Sequence, residues 1–240
     1  MNIAADEALE RLREGNRRFA AGLRAAGGPH HLARLAELAT GQEPFAIVLG
    51  CSDSRVPAEI VFDQGLGDLF VIRVAGNIVA PSQIGSVEFA AERFGTRLVV
   101  VLGHSKCGAV SATLEELRRP DPTRSRNLRS IVDRIRPSIE GLLASDLAND
   151  AAALEREAVR ANVRAAAHQL RHGSELLERL IETDGLRVAC AEYSLESGVV
   201  DVFDADPLGP TPARGGVRGD GRRSSAGGGE GGAQHDLEGD

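Results

Sequence analysis

Positive charge is in short supply: 28 Lys and Arg face 35 Asp and Glu, for a formal net charge of −7. Phosphate backbones demand clustered cations, so this balance excludes a nucleic-acid footprint and points to a small-molecule partner. Tryptophan is absent, and only three cysteines occur, Cys51, Cys107 and Cys190. An odd count in a chain too large to need disulfide staples predicts free or metal-bound thiols in a reducing compartment. No apolar run approaches the ~20 residues of a membrane-spanning helix. The N-terminus carries Asp6, Glu7 and Glu10 where a secretory signal would be apolar. A cytoplasmic protein without membrane contact is the expectation.

What is present suits an α/β fold. Apolar residues make up 42% of 240 positions, enough for one core. Apolar positions recur at helical spacing from Asp6 to Phe19, and a short second helix is expected over His31 to Ala39. Three uninterrupted apolar runs follow: Phe45 to Leu49, Leu69 to Ile72 and Leu98 to Leu102. Such runs read as strands buried on both faces, and the last two precede helical stretches at Ile84 to Phe94 and Ala109 to Leu117. Strand followed by helix implies parallel pairing. From Asn127 to Ile181 the pattern is helical, with breaks expected at Pro137, near Asn149 and at Gly173. A fourth strand over Leu186 to Tyr193 turns through Glu196-Ser197-Gly198 into a fifth over Val199 to Phe203, antiparallel to it. The predicted fold is a mainly parallel sheet of about four strands plus one antiparallel edge strand, flanked by helices. It occupies residues 1–205, and the Gly- and Pro-rich stretch 206–240 is expected to be a disordered tail.

Two strand ends carry chemistry. The first runs into Cys51-Ser52-Asp53-Ser54-Arg55, the third into Gly103-His104-Ser105-Lys106-Cys107-Gly108. Both lie where open α/β sheets bind ligands. Two thiols and an imidazole are ligands that Zn²⁺ prefers, and three protein ligands with one exchangeable position mark a catalytic site. Asp53 can reach the metal or the water on it, and Arg55 can grip Asp53 in a bidentate pair.

The segment CSDSRVPAEIVFDQGLGDLFVIRVAGN at 51–77 and GHSKCGA at 103–109 resemble the β-class carbonic anhydrases. Weaker likenesses extend from Leu12 through Gly22 and from Tyr193 through Val200, so the resemblance spans about residues 8–203. It implies zinc held by Cys51, His104 and Cys107, with Asp53 either taking the fourth position or swinging to Arg55. The implied reaction is reversible hydration of carbon dioxide to bicarbonate, in a homodimer or higher homo-oligomer. Gln42, nine residues before Cys51, matches a substrate-binding position, and Gly108 is taken as a second. Val48 stands where another subtype carries a tryptophan of a bicarbonate site, which favours the open-site subtype marked by glutamine.

Other residues have plainer readings. Cys190 reads as core packing. His168 and His172, spaced i, i+4, lack the glutamate of a metalloprotease motif and read as a solvated helix face. Gly65 and Gly67 read as a turn. Asp53 and Arg55 alone also fit a structural ion pair. Two competing functions keep the same ligands: hydrolysis of carbonyl sulfide or carbon disulfide, and a zinc module without catalysis.

Overall fold

The first strand, β1 (Ala46–Gly50), is buried along its whole length, as an apolar run without alternation requires. In the computed structural model, which describes residues 3–22, 38–121, 123 and 125–205, it lies one strand in from the edge of a five-stranded sheet. Its neighbours are β2 (Leu69–Arg73) and β3 (Leu98–His104), both parallel to it. Beyond β3 come β4 (Arg187–Tyr193), parallel, and β5 (Val200–Ala205), antiparallel. The order is β2-β1-β3-β4-β5. The expected parallel sheet with an antiparallel edge strand is therefore found.

Helices follow from local signals. α1 (Ala5–Ala20) carries Asp6 and Glu7 in its first turn and Arg17 and Arg18 in its last, which complements the helix dipole. After the single turn α2 (Ala58–Val61), Pro81 opens α3 (Pro81–Arg93), where a missing N–H costs nothing. α4 (Gly108–Arg118) begins directly after Cys107. Ser125 caps α5 (Arg126–Ile139), Asp150 caps α6 (Ala151–His172) and Ser174 caps α7 (Glu175–Thr183).

Two expectations need correction or qualification. Pro137 does not interrupt its helix: α5 continues through it to Ile139. A proline this close to the end disturbs only the final turn, and the buried Val132, Ile135 and Ile139 hold the helix to the core. The breaks near Asn149 and at Gly173 do occur, as two 3₁₀ turns (Glu140–Ala144, Asp146–Asn149) and the α6–α7 junction. The helix expected over His31 to Ala39 falls largely outside the described residues, as does the stretch 206–240.

Both sheet faces are covered. Residues 46 and 48 of β1, 98, 100 and 102 of β3, and 189 and 191 of β4 pack beneath α1 and α2. Residues 47 and 49, 99 and 101, and 188 and 190 pack against α3, α6 and α7. Cys190 belongs to this second cluster and is fully buried, as core packing requires. A third cluster, from α4, α5 and the start of α6, closes over the carboxyl end of the sheet and includes Cys51 and Cys107. Among the described residues no helix is long and apolar enough to cross a membrane.

Candidate metal centre

Register brings the strand ends together. Gly50, the last residue of β1, stands opposite Leu102, so Cys51 emerges level with the end of β3, where His104 is the final residue. Gly103 lets α6 approach: a Cβ there would lie 2.5 Å from Val163 Cγ2. Lys106 adopts a left-handed backbone (φ 56°), which turns the chain so that Cys107 faces back toward Cys51. The result is one compact donor set. The Cys51 and Cys107 sulfurs and an imidazole nitrogen of His104 all lie within 4.8 Å of one another, and all three residues are buried. Among the described residues no other group of three or more His, Cys, Asp or Glu meets in this way.

The imidazole is prepared for a ligand. Its Nδ1 donates to the Ser105 carbonyl at 2.9 Å, which fixes the tautomer and leaves a lone pair on Nε2. Nε2 is buried and has no hydrogen-bond partner. A buried polar atom without a partner costs several kcal/mol in an apolar setting, roughly 2–7. A cation between the two sulfurs removes that cost, so the donor set fits a metal ion.

The sulfurs are electrostatically unequal. Cys51 is pulled down to about 4, chiefly by a hydrogen bond from the Cys107 thiol, and also by His104 and the Gly76 N–H. Cys107 is pushed up by the Cys51 sulfur beside it and by burial, against the N–H groups of Val110 and Ala109 at the start of α4. Two buried sulfurs this close resist ionising together, and a divalent ion would offset that repulsion and favour both thiolates.

Asp53 stands beside this set and faces Arg55. Arg55 Nε donates to Oδ1 at 2.9 Å and Nη2 to Oδ2 at 2.7 Å, and the Arg55 backbone N–H adds a third bond. The fork holds the Asp53 carboxyl well below the usual carboxylate range. Asp53 Oδ2 lies 3.8 Å from His104 Nε2, close to where the donors converge. Arg55 is anchored in turn on the Lys106 carbonyl at 3.3 Å.

Three residues near the site carry no obvious sequence signal. Arg73, at the end of β2, donates to the carbonyls of Cys51 (3.0 Å) and Asp53 (2.6 Å) and so fixes the loop that presents both. The Gly76 N–H donates to Cys51 Sγ at 3.3 Å, and Asn162 of α6 donates to the Gly76 carbonyl at 2.8 Å. Only the Gly-Asn pair at 76–77, a common left-handed turn, hints at this from sequence.

The two substrate-position residues lie apart. Gly108 opens α4 next to Cys107, and a Cβ there would meet nothing within 4 Å. Gln42 is exposed and precedes β1, whereas the candidate ligands lie at the opposite, carboxyl end of the sheet. Pro44 and Phe45 are fixed at the amino end of the sheet by Thr96 and Asp68. Six residues of extended chain, about 20 Å, separate Phe45 from Cys51. Three residues return at most about 11 Å, so Gln42 does not reach the site of its own chain. His168 and His172 stack with ring centroids 4.6 Å apart on α6, outside the donor group.

An open, mainly parallel sheet with two thiols and an imidazole converging at its carboxyl edge defines an α/β protein with a candidate metal site at that edge. The structure is similar to the β-carbonic anhydrase CafA of Aspergillus fumigatus, with a TM-score of 0.66 and 27% identity over 83% of this chain and 90% of that one. A family model described as carbonic anhydrase matches residues 46–200, and the chain belongs to that family, in its β class. It is 44% identical over 137 residues to carbonic anhydrase 2 of Mycobacterium tuberculosis and 47% identical over 136 residues to a carbonic anhydrase of Mycolicibacterium smegmatis. Each match covers 55% of this chain and 63% of the relative, so the chain spans a little under two thirds of those relatives' length.

Proposed function

We propose that this protein is a zinc enzyme that interconverts carbon dioxide and bicarbonate. The observation that carries the reading is the buried, unpartnered Nε2 of His104 between two thiols, with an acceptor carboxylate held beside it. Cys51, His104 and Cys107 would hold the ion. Zinc supplies Lewis acidity that lowers the pKa of water near neutral pH. The chain supplies the rest. Asp53, kept ionised by Arg55, accepts a hydrogen bond from the attacking oxygen and so aims its remaining lone pair at carbon. The fork leaves Asp53 paired with Arg55 and not among the metal's ligands, which supports the open-site form. Gly108 leaves space beside Cys107 for a small linear substrate.

Gln42 can donate to a carbon dioxide oxygen only across a subunit boundary, since it lies at the far end of β1 from the ligands of its own chain. A homodimer or higher homo-oligomer is therefore part of the proposal. Three cysteines without a disulfide fit a reducing compartment such as the cytoplasm.

The test is elemental analysis for zinc together with stopped-flow hydration of carbon dioxide. One zinc per chain and turnover that a chelator removes, with the fold retained, are the expected results. Sulfide release from carbonyl sulfide without hydration of carbon dioxide would reassign the substrate. Melting on chelation without prior turnover would make the metal structural.

A further inference from the structure

We infer that Asn162 is a positioning residue: through the Gly76 carbonyl it aims the Gly76 N–H at the Cys51 sulfur and so sets how strongly that sulfur binds metal. The inference rests on the metal-site reading above. Asn162 lies on α6, far from the ligands in sequence, and its side chain is buried. Its Nδ2 donates to the Gly76 carbonyl at 2.8 Å, a buried bond between residues 86 positions apart. On the other side of the same glycine, the N–H donates to Cys51 Sγ at 3.3 Å.

The glycine between these bonds has little freedom. Gly76 is left-handed (φ 71°, ψ 20°) and is followed by left-handed Asn77 (φ 43°). A Cβ on Gly76 would lie 2.8 Å from Ile135 Cδ1 and 3.0 Å from Ala109 Cβ. Packing closes one side of the turn, and Asn162 fixes the carbonyl that sets its rotation. The two bonds involve different peptide units, so the effect is one of position, not of polarisation through a single amide. An N–H donated to a thiolate withdraws charge from sulfur and fixes its direction, and outer partners of this kind tune a bound metal. A buried amide at position 162 costs several kcal/mol, roughly 2–7, unless it is bonded, so apolar packing alone does not account for asparagine there.

The experiment uses full-length ¹⁵N-labelled protein loaded with ¹¹³Cd, read by NMR and by competition with a chelator. In the unsubstituted protein the Gly76 amide proton should show scalar coupling to ¹¹³Cd, carried through the hydrogen bond to Sγ. Asn162→Ala and the isosteric Asn162→Asp should lose that coupling, shift the ¹¹³Cd resonance and release the metal about 10- to 100-fold more readily. Circular dichroism on the same samples identifies any variant that does not fold. Bound cadmium without Gly76 coupling in the unsubstituted protein overturns the inference whatever the variants do. Coupling and affinity unchanged in a folded variant overturn it as well. Failure of the unsubstituted protein to bind cadmium at Cys51, His104 and Cys107 instead overturns the metal-site reading itself.

Discussion

The two faces of the sheet are closed in different ways. Beneath α1, Leu9, Leu12 and Phe62 pack on Val100 and Ala191 and leave a cavity of about 300 Å³. Asn16 ties that helix to the Val61 and Gly198 carbonyls and accepts from the Val200 N–H, none of which carries a metal ligand. Partly exposed ion pairs, Arg18 with Asp63 and Arg11 with Asp68, hold its edge. On the opposite face α6 packs Val163 against Gly103, one residue from His104, and carries Asn162 to Gly76. One face supports stability alone, while the other also sets the geometry of the donors. Contact is close on both faces, since a Cβ on Gly15 of α1 would lie 1.8 Å from the Phe62 carbonyl, but only at Gly76 and Gly103 does the close approach bear on a donor.

Substitutions can break this contrast or sharpen it. The largest effect should come from the donor set itself: Cys107→Ser should eliminate stoichiometric zinc and reduce carbon dioxide hydration to background, as read by elemental analysis and stopped-flow assay. Next, Arg55→Lys should keep zinc yet lower kcat/KM about 100-fold, because a point charge cannot present the planar fork that holds Asp53. Retention of full activity would remove Arg55 from the mechanism. On the α1 face, Leu12→Ala should cost about 2–5 kcal/mol in denaturant unfolding while kcat per folded molecule stays unchanged. A parallel loss of kcat would show that the two faces are not separable. Smallest of all, Arg17→Ala should leave denaturant unfolding almost unchanged, since both it and its partner Glu10 are at least half exposed.

Much of this was legible from sequence, for physical reasons. Uninterrupted runs such as Leu98 to Leu102 can only be buried on both faces, and a Cys and a His placed directly after two such runs must meet at one edge. The Asp53–Arg55 fork was readable because its members are two residues apart. Asn162 and Arg73 were not, because their bonds go to backbone atoms 86 and 20–22 positions away, and backbone atoms carry no residue identity to read. Pro137 misled because local propensity there is overruled by the anchoring of Ile135 and Ile139. Gln42 was associated with the site by the family resemblance, but the residues between it and Cys51 include the strand itself, which carries the two apart.

Cys51 and His104 are continuous with β1 and β3, two interior strands, each buried along its whole length. Such strands belong to the last cooperative unit to open in hydrogen exchange, whereas the exposed fork of Arg55 can rearrange without disturbing them. Rearrangement of the fork therefore need not loosen the strand ends that present Cys51 and His104, so a substitution at Arg55 should leave amide exchange in β1 and β3 as slow as before.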